Sequence, residues 1–174
     1  MNLYLKHGGE MENKLINPED ITLEGRKALK ELIILVKHRE PLVIKGKQYL
    51  YFTDYQMLGA FMGITAFVTH TETLFEERPD STGKATFLAP IGYKARAVAL
   101  KDGKEISAAE AICTKDEENW KGKPMFQLLS MAQTRASAKS LRNVLSWVVK
   151  LPVDSMPKQE FAEESAEEAT FKNM

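Results

Sequence analysis

Apolar residues recur along this chain with two different periods, and the change of period marks its parts. Leu29, Leu32, Ile33 and Val36 follow one another at three- and four-residue spacing, the repeat of one helix face. With Thr22 as N-cap, the pattern predicts a helix over Leu23 to His38, stopped before Pro41. Leu42 to Ile44 and Gln48 to Phe52 flank Lys45-Gly46-Lys47, the signature of a short hairpin. Thr53 followed by Gln56 matches a capping box, and Met57, Leu58, Phe61 and Met62 continue an amphipathic helix that Gly63 can end.

Period two then takes over. Thr65 to Glu76 is rich in threonine and aromatics, and Ile91 to Leu100 alternates. Asp102-Gly103 is a strong hairpin signal, so the strand before it returns as Glu105 to Thr114. Arg78 to Lys84 reads as the loop between the first two strands. The expected product is a three-stranded antiparallel meander, with the hairpin at residues 42 to 52 a candidate to join it. After a loop over Lys115 to Pro124 comes the longest helix, Met125 to Lys150, stopped by Pro152. The fold class is therefore α+β: an antiparallel β-meander packed against a long C-terminal helix, with N-terminal helices. Residues 1–20 read as a flexible N-terminus, 21–152 as a single domain, and 153–174 as an acidic, disordered tail.

Composition narrows the class. The 174 residues are 44% hydrophobic and 28% charged, as in soluble globular domains. A single cysteine, Cys113, excludes an intrachain disulfide and a multi-cysteine zinc site. No apolar run approaches the ~18 residues of a membrane span, and the N-terminus lacks the apolar core of a signal peptide. The expectation is a cytoplasmic protein without membrane attachment.

Charge changes the picture once it is divided along the chain. Lys and Arg number 24 and so do Asp and Glu, for a formal net charge of zero, which taken whole argues against a nucleic-acid partner. Residues 119 to 153, however, carry Lys121, Lys123, Arg135, Lys139, Arg142 and Lys150 with no anion, while residues 154 to 174 carry six anions and two cations. A basic stretch is thus followed directly by an acidic tail. Fold-back of that tail over the basic stretch, in competition with a polyanion, is one expectation; solubilising the chain or docking a partner are the others.

At 100 degrees per residue, Arg135, Lys139 and Arg142 fall within a stripe about 60 degrees wide on the long helix. Most of the remaining circumference is apolar or small, including Met131, Ala132, Ala136, Ala138, Leu141, Val144, Leu145 and Val148, so the helix is expected to be largely buried with its cations sharing one exposed seam. Carboxylates at four-residue spacing, which would pair them, are missing from the helix. Alternation on Ile91 to Leu100 puts Lys94 and Arg96 on one face. Set beside the helix seam, with Lys121 and Lys123 leading in, they would form a positive groove that follows a phosphate backbone without reading bases. Tyr93 and Trp120, with Tyr49 and Tyr51, are the candidates for base stacking. The structural alternatives are a solvated stripe and strand face for the cations and plain packing for the aromatics.

Catalytic patterns are weaker. His7, His38 and His70 are scattered without metal-ligand spacing, and Cys113 has no histidine nearby in sequence. Glu110, Asp116, Glu117 and Glu118 are candidates for a divalent-metal cluster of the nuclease kind, although the three consecutive side chains diverge. No P-loop or dinucleotide fingerprint occurs, so the expectation is a protein that is not an enzyme and uses no cofactor.

The run Ser130-Met131-Ala132-Gln133-Thr134-Arg135-Ala136-Ser137-Ala138-Lys139-Ser140-Leu141-Arg142, preceded by Glu117-Glu118-Asn119-Trp120 and Pro124-Met125-Phe126-Gln127-Leu128, resembles a group of phage- and prophage-borne proteins over roughly residues 42 to 150. The wider order, with Val98-Ala99-Leu100-Lys101-Asp102-Gly103 before the hairpin turn and an Ala-rich, cation-bearing helix at the end, is similar to the Rad-fifty-two class of single-strand DNA annealing proteins. That resemblance implies ATP-independent binding and annealing of single-stranded DNA in phage-type recombination and repair. It also implies assembly of the chain into a ring or helical filament. Carried over by position, Arg135, Lys139 and Arg142 would contact the DNA backbone, with Lys94 and Arg96 on the neighbouring strand, and the acidic tail would meet a host or phage recombination partner. The chain departs from the class in being less basic and in having Ser146-Trp147-Val148-Val149 where a Gly-aromatic stretch is usual. Two other readings remain open from the residues: a phage accessory module that binds protein rather than DNA, and a metal-dependent nuclease built on Glu110 and Glu117.

Overall fold

The computed structural model describes residues 17 to 153; the acidic tail and most of the N-terminal segment lie outside the described residues. Helix α1, Pro18–Val36, starts five residues before the periodicity suggests. Its cap is Asn17, whose Oδ1 accepts a hydrogen bond from the Glu19 amide at 3.1 Å, and Pro18 occupies the first turn, where its missing N–H costs nothing. Thr22 is therefore inside the helix and not its cap, and its hydroxyl donates back to the Pro18 carbonyl at 2.7 Å. The N-terminal boundary moves accordingly, since residues 18 to 20 are helical.

Strands β1 (Leu42–Ile44) and β2 (Lys47–Tyr49) form the expected hairpin around Lys45 and Gly46, both at positive φ. They make a two-stranded sheet of their own and do not join the meander. Helix α2, Phe52–Phe61, follows. Its start is held by Asp54 in place of the Thr53/Gln56 pair, because the Asp54 carboxylate accepts from the Tyr51 amide at 2.7 Å. The same buried carboxylate takes both guanidinium nitrogens of Arg39, at 2.7 and 2.8 Å. Arg39 also lies 4.6 Å from the centre of the Tyr51 ring. One side chain thus ties the end of α1, the hairpin and α2 together.

The meander is three antiparallel strands in the order β3 (Ile64–Pro79), β4 (Thr86–Lys101) and β5 (Lys104–Thr114). The β4–β5 turn is Asp102-Gly103, both at positive φ. The β3–β4 hairpin runs further than the sequence suggests, and pairing continues to Pro79 opposite Thr86. Its tip is closed by Asp80, whose carboxylate accepts from the Thr82 amide, the Thr82 hydroxyl and the Lys84 amide. These bonds, the Thr82 hydroxyl first, hold the Asp80 carboxyl below its usual range. Because β5 ends opposite Gly92, the outer part of this hairpin projects as a two-stranded arm, with Phe75, Phe87 and Leu88 exposed.

Helix α3, Met125–Leu145, packs across all three strands. It ends earlier than expected, at a Ser146 cap, and a separate 3-10 turn at Val148–Lys150 leads to Pro152. Close approach is a matter of small side chains: Ala95, Ala97 and Ala99 of β4 are fully buried, and so are Ala132 and Ala136 of α3. Leu128 and Cys113 complete this part of the core. A second, larger part gathers Leu29, Leu32, Leu58, Leu141, Leu145 and Val148 between α1, α2 and the C-terminal half of α3.

Candidate nucleic-acid interface

The groove expected from the sequence does not form within one subunit. Strand alternation sends Ala95, Ala97 and Ala99 toward α3, so Lys94 and Arg96 point to the opposite, open face of the sheet. There each meets a carboxylate of β5: Lys94 Nζ is 2.9 Å from Glu110, and Arg96 is 3.1 Å from Glu105. The Glu110 contact lifts the Lys94 ammonium above its usual value, while Lys94 in turn holds the Glu110 carboxyl low. These two cations are separated from the helix by the thickness of the sheet.

The exposed seam on α3 is corrected as well. Arg135 is buried at 8% exposure. It is held by a carboxylate outside the helix, Glu117, through two parallel hydrogen bonds of 2.9 and 2.7 Å. Arg135 Nη1 also donates to the Ile112 carbonyl at 2.8 Å, and Glu117 accepts from the Thr114 amide at 3.0 Å. Four residues on from Lys139, Asn143 Nδ2 donates to the Ala108 carbonyl at 3.4 Å. Ile112 and Ala108 share the parity whose backbone groups face away from β4. The stripe 135, 139, 143 therefore runs along the outer edge of β5 and caps it. Lys139 and Arg142 are half-buried beside this edge.

The stacking candidates are packing residues. Tyr93 and Trp120 lie half-buried against the cluster of Ala95, Cys113 and Leu128, Tyr49 is buried, and Tyr51 supports Arg39. Cys113 is fully buried, and desolvation, with the Glu117 charge second, pushes its thiol up to about 12. Glu110 and Glu117 do not converge, since one faces Lys94 and the other Arg135. Among the described residues no group of three His, Cys, Asp or Glu side chains is placed to hold a metal ion.

What remains is a smaller basic feature at the entry to α3. Lys121 and Lys123 flank Gly122, whose φ of 75° makes the sharp turn, and both lysines are exposed. Neither has an ion-pair partner among the described residues. They precede an α3 first turn that contains no acidic residue, where the unpaired amides of the helix start add positive potential. Phe126, at 66% exposure the most exposed large apolar side chain described, stands in the same turn. Phe126 is not among the stacking candidates the sequence offers; its place two residues after Pro124, at the very start of the helix, is the local signal for exposure.

Scans against protein-family models, curated proteins and solved structures find no match to this chain.

Proposed function

We propose that this protein binds single-stranded DNA by its backbone and anneals complementary strands without ATP, as the resemblance to phage-type annealing proteins implies. The observation that carries the reading is the pair of exposed, unpartnered lysines, Lys121 and Lys123, beside the α3 start and Phe126. Phosphates suit the lysines and the helix amides, and an exposed phenyl ring offers a base a stacking surface without sequence preference. Lys139 and Arg142 extend the basic side of α3, and Lys94 and Arg96 are left to the ion pairs of the open sheet face. One such site is weak, so annealing calls for several subunits presenting their sites along one strand. A cytoplasmic location fits this reading, and among the described residues no helix is long and apolar enough to cross a membrane.

The test is fluorescence anisotropy of a labelled oligonucleotide over a range of salt, followed by an annealing assay with its complement. The full chain is expected to bind with steep salt dependence and little sequence preference. Lys121→Ala/Lys123→Ala should flatten the log–log salt slope by about 1.4, from about 0.7 per lost phosphate contact on a single strand, and Phe126→Ala should weaken binding at all salt concentrations. Binding that ignores all three substitutions sinks the assignment. A second reading, a protein-docking module, is favoured by the projecting arm with its exposed Phe75, Phe87 and Leu88; absence of any salt-dependent oligonucleotide binding would select it.

A further inference from the structure

The two outer edges of the meander are treated differently. On β5 the outward backbone groups are met by side chains, with the Thr114 amide donating to Glu117 and the Ile112 and Ala108 carbonyls accepting from Arg135 and Asn143. On β3 none of the hydrogen bonds among the described residues reaches the side away from β4 between Thr65 and Pro79. An uncapped edge of this length is a template for another strand. On the open face Lys94 and Arg96 are engaged by Glu110 and Glu105 of β5; Glu72 lies near enough to Lys94, and His70 to Glu110, to act on them through space, but neither closes an ion pair or a hydrogen bond among the described residues.

We propose that the β3 edge is the docking surface for a second copy of this chain, two β3 strands pairing antiparallel about a two-fold axis at Thr71. β3 cannot add to the β5 edge of another copy, because Arg135, Asn143 and Glu117 occupy it, so like must pair with like, and such a contact is isologous. The register follows from charge. With Thr71 on the axis, His70 lies opposite Glu72 of the partner subunit and Glu72 opposite His70 of the partner subunit, so the complementary contact occurs twice. Sliding one strand by two residues either way would set Glu72 against its own copy, a like-charge contact, or His70 against its own copy, which leaves the carboxylates unmatched. The three strands of each subunit then continue into one six-stranded sheet. The bulge at Thr69, where β3 shifts register between Val68 and His70, increases the local twist next to the axis without consuming the edge. This contact closes at two subunits and does not depend on nucleic-acid binding; a longer assembly would need a different surface, such as the arm.

Sedimentation velocity of the full chain over a wide concentration range tests this directly. The expected result is a dimer whose population rises with concentration. His70→Glu places like charges opposite each other twice and should shift the midpoint of association at least tenfold toward monomer with unchanged circular dichroism. The exchange His70→Glu/Glu72→His restores the complementary pair and should restore the dimer. A chain that stays monomeric at every concentration overturns the proposal. So does a dimer, or any larger assembly, indifferent to His70→Glu. If the single variant is misfolded, the wild-type mass and the behaviour of the exchanged variant still decide.

Discussion

At the scale of single residues, Arg135 illustrates how position along a chain and position in a fold give different meanings to the same cation. Its guanidinium and the Glu117 carboxylate are each only 9% exposed, and removing one partner strands the other charge out of water. Arg135→Ala is therefore expected to lower unfolding stability by about 3–5 kcal/mol, measured as a shift in urea midpoint, while Arg135→Met/Glu117→Leu recovers most of it. A loss of DNA binding in Arg135→Ala alone would thus report unfolding before it reported a lost contact. Sequence reading placed Arg135 on the correct helix and the correct stripe, because period and spacing are local. It missed the pairing because Glu117 reaches Arg135 across the loop and the 3-10 turn at Glu118–Trp120, and helical spacing rules see only carboxylates on the same helix.

At the scale of elements, the turn and cap chemistry explains both the successes and the misplacements. Asp102-Gly103 fixed the β4–β5 hairpin, and Gly63 at φ 66° ends the α2 region as the pattern suggests. The start of α1 was misplaced because Asn17-Pro18 outranks Thr22 as an initiating pair. The faces of β4 followed from alternation, but which face α3 would cover did not; that is settled by the alanines, which let the helix backbone come close. Gly92 is the corresponding point on the sheet. A Cβ there would stand 2.2 Å from the Cys113 carbonyl and 2.7 Å from the Thr114 Cα, both backbone atoms that cannot give way. Gly92→Ala is expected to push β5 off the end of β4 and to destabilise by more than the ~1–3 kcal/mol of ordinary overpacking, visible as a lower thermal midpoint. An unaltered midpoint would mean that the β4–β5 register there is looser than it stands.

At the scale of the whole molecule, the separation of charge survives although the groove does not. Lys121 and Lys123 remain exposed and unpartnered at one end of α3, and the sequence beyond residue 153 is strongly acidic. Deleting residues 154 to 174 is expected to tighten oligonucleotide binding, most clearly at low salt where unlike charges attract over longer distances. Equal affinity with and without those residues would assign them to solubility or to a partner. The overall class, a meander under a long helix, was legible because it depends on patterns carried within each element. The site was legible only in part, since it depends on which side of a sheet a helix chooses and on what the loop before that helix brings back.

The capping of the β5 edge has a consequence for inheritance. Arg135 and Glu117 form one unit whose loss from either side uncovers a strand. Drift in relatives would therefore be expected to change them together or not at all. Lys139, one turn along and half-exposed, is under no such joint constraint. Invariance across the Arg135–Arg142 stripe would then record the guarding of an edge at one position and the attraction of a ligand at another.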